Sequence, residues 1–74
     1  MKVYYWGSVT CIFTPYEPTD QNKTLIGNCH PYDKATSHEA AEGIAVADAK
    51  QKAPSGYTYS SISADNIEKH EVKD

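Results

Sequence analysis

Two cysteines, Cys11 and Cys29, and three histidines, His30, His38 and His70, are the residues of this chain best suited to nucleophilic or metal chemistry. A cysteine nucleophile needs a histidine base within hydrogen-bond reach and donors for an oxyanion. No spacing here brings a cysteine and a histidine together for that purpose, and His38, in the first turn of an expected helix, reads as a solvated residue. Structural zinc sites use paired ligands two to four residues apart. Only Cys29 and His30 are close in sequence, and neighbours on a strand point to opposite faces. No metal site is therefore expected from these five residues. No glycine loop that could cradle a phosphate is present either, since the four glycines stand apart at positions 7, 27, 43 and 56. The residue types favour binding over catalysis, with no metal and no cofactor.

The cysteines admit one covalent alternative. A hairpin symmetric about Asp20 sets Cys11 directly opposite Cys29, close enough for a disulfide. The amino terminus, however, has one lysine and then a polar, aromatic stretch, without the apolar core and cleavage site of a signal peptide. The expectation is a cytoplasmic protein with two free, half-buried thiols.

Length and charge narrow the classes further. Seventy-four residues make one domain, whose core supplies a net stability of only about 3–5 kcal/mol and leaves little room for a substrate pocket. The net charge is −3, from ten acidic and seven basic residues, and every basic residue is a lysine standing alone. Nucleic-acid affinity rests on clustered cations that release counterions, so this balance argues against a nucleic-acid partner. No apolar run approaches the length of a membrane span.

The elements that must position any site read as β-β-α-β. Side chains alternate along an opening strand from Lys2 to Phe13. Val3, Tyr5, Val9, Cys11 and Phe13 fall on one face; Tyr4, Trp6 and Ile12 fall on the other, with Ser8 and Thr10. A proline-rich loop from Thr14 to Lys23 leads to a second strand, Thr24 to His30, and a connection from Pro31 to Ala35. Thr36 with Glu39 reads as a capping box for an alanine-rich helix, Ser37 to Ala53, ended by Pro54-Ser55-Gly56. Its apolar stripe is poor, because Ile44 and Val46 point apart, but Ala40, Ala41, Ala45 and Ala49 would let it lie close against a sheet. Tyr57 to Ser63 alternates as a third strand. Asn66 to Val72 reads as a short terminal strand, as a continuation after a kink at Ala64-Asp65, or as a last turn of helix, with strand favoured. The expected fold is α+β: a three- or four-stranded antiparallel sheet with one helix packed on one face and strand one in the centre.

One helix covers one face of such a sheet, and Tyr4 and Trp6 lie on the other. Tyr16 and Tyr32 sit in loops beside prolines, and Glu17 and Asp20 place acidic groups in the first of those loops. Tyrosine and tryptophan dominate binding hot spots, and acidic groups would steer the chain to a basic partner surface. Tyr4, Trp6, Tyr16, Glu17, Asp20 and Tyr32 are thus the candidate partner-binding residues. By layout the chain resembles the small accessory proteins of bacteriophages and mobile elements, including anti-CRISPR and other host inhibitors, which are often acidic, with a short sheet, one helix and no catalytic motif. The resemblance implies an inhibitor that occupies a surface on another protein and assigns no residue a role. A homodimer packed through the open sheet faces is the alternative, and an RNA-binding sheet a weaker one.

Overall fold

A computed structural model describes residues 1–73. Strand β1 (Lys2–Pro15) is followed by β2 (Lys23–Cys29), a single 3-10 turn (Pro31–Asp33), helix α1 (His38–Lys52) and β3 (Tyr57–Val72). The three strands form one sheet in the order β2-β1-β3, with both neighbouring pairs antiparallel. This is the α+β arrangement expected, with the most apolar strand in the centre. The fourth strand resolves as a continuation of the third. Two register shifts against β1 absorb the irregularity near Ala64: Thr10 pairs with Ala64 but Cys11 with Ile62, and Ile12 pairs with Ser61 but Phe13 with Tyr59. Ser63 and Ser60 are the bulged residues, and bulges of this kind bend a strand without ending it.

Helix α1 begins one residue later than the capping box implied. Ser37, not Thr36, is the N-cap, and its hydroxyl accepts the Ala40 N–H at 3.0 Å. Ala41, Ala45 and Ala49, spaced i, i+4, i+8, form the buried stripe, while Ala40 is exposed. A stripe of methyl groups lets the helix backbone lie close against the sheet, and Gly27 on β2 completes the approach. A Cβ there would run into the Ala45 carbonyl oxygen. The core on this face comprises Val9, Cys11, Phe13, Cys29, Ala35, Ile67 and the three alanines. Gly7 adopts φ +149, and a Cβ there would meet the Asn66 carbonyl oxygen of β3, so the position needs glycine on two grounds.

The hairpin register differs from the symmetric one. Cys11 pairs with Leu25, and Cys29 pairs with Gly7. The shift of four residues keeps every side chain on its face, because the pleat repeats every two, but it moves Cys29 about 13 Å along the sheet from Cys11. Both thiols are free and buried, and burial pushes the pKa of each above the usual thiol value.

Candidate functional site

The face of the sheet opposite α1 carries the even-numbered residues of β1 and β2. Tyr4, Trp6 and Ile12 are half-buried there, and Ile26, paired with Thr10, is 56% exposed. His70, which pairs with Tyr4, stacks on the Trp6 ring with centroids 3.7 Å apart and planes 5° from parallel. Trp6 also packs against the core, so it has two roles, and truncating it would disturb stability as well as the surface. Ile26 is the cleaner probe of this face.

The remaining candidate residues do not join Tyr4 and Trp6 in one patch. Tyr16 lies just beyond the far end of β1, about 33 Å of extended chain from Trp6, in a molecule 52 Å long. It is 71% exposed, and its backbone N–H donates to the Gly56 carbonyl at 2.9 Å. Glu17 and Asp20 are exposed at that same end, where the Asp20 N–H donates to the Glu17 carbonyl at 3.1 Å. Tyr32, 75% exposed, stacks on His30 with centroids 4.8 Å apart. With Ile44, Ala47 and Asp48 of α1 it lines a cleft of about 340 Å³ on the helix side of the sheet. Tyr4 with Trp6, Tyr16 with Glu17 and Asp20, and Tyr32 thus occupy three separate places. The cause is the length of β1, which carries the loop tyrosine away from the opening aromatics.

The two sheet edges differ. Side chains of α1 engage the outer edge of β2: the Asn28 N–H donates to Asp48 Oδ2 at 2.8 Å, and Lys52 Nζ donates to the Ile26 carbonyl at 3.2 Å. The Asn28 bond, with Lys52 at 3.1 Å, holds the Asp48 carboxyl below the usual carboxylate range. Along β3, bulges and the charged residues Glu68, Lys69 and Glu71 do the work of discouraging edge pairing.

The candidate ligands for zinc are scattered. Cys11 and Cys29 are buried under the helix, His70 is stacked on the open face, and His30 is stacked on Tyr32. His38 instead meets two acidic residues, Glu42 and Asp65. Its Nε2 lies 3.1 Å from Asp65 Oδ2, and a Glu42 carboxylate oxygen, one turn along α1, lies within 4.8 Å of both. The spacing of His38 and Glu42, four apart on a helix, was the available signal; Asp65 on β3 needed the fold.

No family model, curated protein or solved structure matches this chain. Among the described residues, no helix is long and apolar enough to cross a membrane.

Proposed function

We propose that the protein is a small binding module that acts by occupying a surface on another protein, through the sheet face opposite α1. The observation that carries this reading is the composition of that face: Tyr4, Trp6, Ile12 and Ile26 stand on a sheet that has a helix on its other side only. Aromatic and aliphatic anchors interspersed with Ser8, Thr10 and Thr24 give the face the mixed apolar and polar make-up of a binding patch. The acidic loop at Glu17 and Asp20 lies beyond one end of the face and suits a partner with a basic rim, where charge raises the association rate more than the affinity. Reduced, buried thiols suit a cytoplasmic setting. Inhibition by surface occlusion, as in the phage accessory proteins whose layout the chain resembles, is the form of action proposed.

The test is affinity capture from a lysate of the source organism, with wild type, Ile26→Lys and Tyr32→Ala run side by side. Ile26→Lys adds a charge to the most exposed apolar position of the face and leaves the core untouched, so its melting temperature should stay within a few degrees of wild type. The expected result is a stoichiometric partner that Tyr32→Ala retains and Ile26→Lys loses by at least tenfold. A partner held equally by all three would refute the assignment of this face. A second copy of the chain as the only captured species would establish the homodimer instead.

A further inference from the structure

His38, Glu42 and Asp65 bring one imidazole and two carboxylates together where α1 starts and β3 bends. The ligating atoms all lie within 4.8 Å of one another. Two of the residues come from one face of the helix at i, i+4, and the third comes from the strand beneath. Asp65 is oriented from behind, since its Oδ1 accepts the Ile67 N–H at 3.0 Å, which leaves Oδ2 directed at His38. A carboxylate oriented by a backbone donor on one oxygen, with the other oxygen turned to the imidazole, has the outer-shell support that metal ligands commonly have.

We propose that His38 Nε2, the Glu42 carboxylate and Asp65 Oδ2 form a binding site for a divalent transition ion of the zinc type. Zinc takes imidazole nitrogen and carboxylate oxygen at about 2.0–2.2 Å, which places neighbouring ligand atoms about 3.4 Å apart around a tetrahedron. His38 Nε2 and Asp65 Oδ2 already stand at 3.1 Å, and a Glu42 carboxylate oxygen, one helical turn away, lies within 4.8 Å of both, so the three donors need only draw together around the ion. The mixed nitrogen and oxygen set selects against magnesium and calcium, which take oxygen ligands. The His38 side chain is 50% exposed and that of Asp65 28%, so an ion can reach the site and keep water in its open position.

The metal-free cluster shows what the ion would replace. Two carboxyl groups in contact cannot both ionise cheaply, and the hydrogen bond to Asp65, then burial and the Asp65 charge, hold the Glu42 pKa above its usual value. Asp65 is held low: burial pushes it up, but the Ile67 N–H, the Glu42 hydrogen bond and His38 together outweigh that. A bound cation would compensate the two neighbouring carboxyl groups directly. The ion would cross-link the first turn of α1 to β3, adding a staple to a small core.

Isothermal titration of the reduced full-length chain with zinc chloride, in a buffer that does not chelate, tests this. One ion per chain is expected, with affinity weakened at least tenfold in Asp65→Asn and in His38→Gln, unchanged in His30→Gln and His70→Gln, and no response to magnesium. Asp65→Asn keeps the acceptor for the Ile67 N–H, and His38→Gln is a second variant should that one misfold. Zinc should also raise the wild-type melting temperature by about 5 °C or more at saturating excess and leave both site variants unmoved. No saturable binding by wild type would overturn the proposal, as would binding that survives His38→Gln and is lost in His30→Gln or His70→Gln.

Discussion

Gly27→Ala is expected to abolish the cooperative thermal transition of this protein. A Cβ at position 27 would run into the Ala45 carbonyl oxygen and lie 2.8 Å from the Ala49 nitrogen and 2.9 Å from the Ala45 carbonyl carbon. All three atoms are backbone, so no rotamer change relieves the contact and α1 would have to lift from β2. Lifting it exposes Ala41, Ala45 and Ala49, each 0% exposed in the native fold. Overpacking that side chains can absorb costs about 1–3 kcal/mol, and a backbone obstruction belongs at or above the top of that range. The domain has only about 3–5 kcal/mol to lose. Circular dichroism melts check the expectation, with Gly43→Ala as the control. Nothing lies within 4 Å of a Cβ at position 43, so that helix substitution should stabilise by about 0.5–1 kcal/mol. A Gly27→Ala protein melting within 5 °C of wild type would contradict the account of how α1 seats.

Phe13→Ala should be nearly as damaging. Phe13 is the largest fully buried side chain, at 1% exposure, and meets the Tyr59 ring edge to face with centroids 6.0 Å apart. Removing a buried phenylalanine costs about 3–5 kcal/mol, equal to the whole stability expected of a chain this size. Urea titration should therefore show a chain largely unfolded without denaturant. Phe13→Leu, which keeps most of the volume, should retain a cooperative transition at a lower midpoint. A Phe13→Ala midpoint close to that of wild type would show that the core is not centred on this face.

Strand order and face assignment were legible because they rest on alternation. Val9, Cys11 and Phe13 point one way and Tyr4, Trp6 and Ile12 the other whatever the register. The register itself was not, since the loop after Pro15 is long enough to permit a four-residue shift with no side chain changing face. The helix was legible from its alanines and its Pro54-Ser55-Gly56 stop. Its buried face is set by Gly27 receiving Ala45 and Ala49, a packing that depends on small size and gives a stripe of methyl groups too weakly apolar to stand out in the sequence. The exposure of Tyr16 and Tyr32 followed from neighbouring prolines, whereas the separation of Tyr16 from Trp6 depended on β1 continuing unbroken through Gly7 to Pro15. The cluster of His38, Glu42 and Asp65 joins residues far apart in the chain, and no spacing rule reaches from α1 to the bend in β3.

The central claim is that the face bearing Ile26 contacts another protein. A photo-activatable amino acid placed at position 26, and separately at position 51 on the exposed side of α1, tests it in cells of the source organism. The account predicts a covalent adduct with a different protein from position 26 and none from position 51. An adduct from position 51 alone would move the function to the helix side, beside Tyr32, and an adduct of two copies of this chain would make the open face a dimer interface.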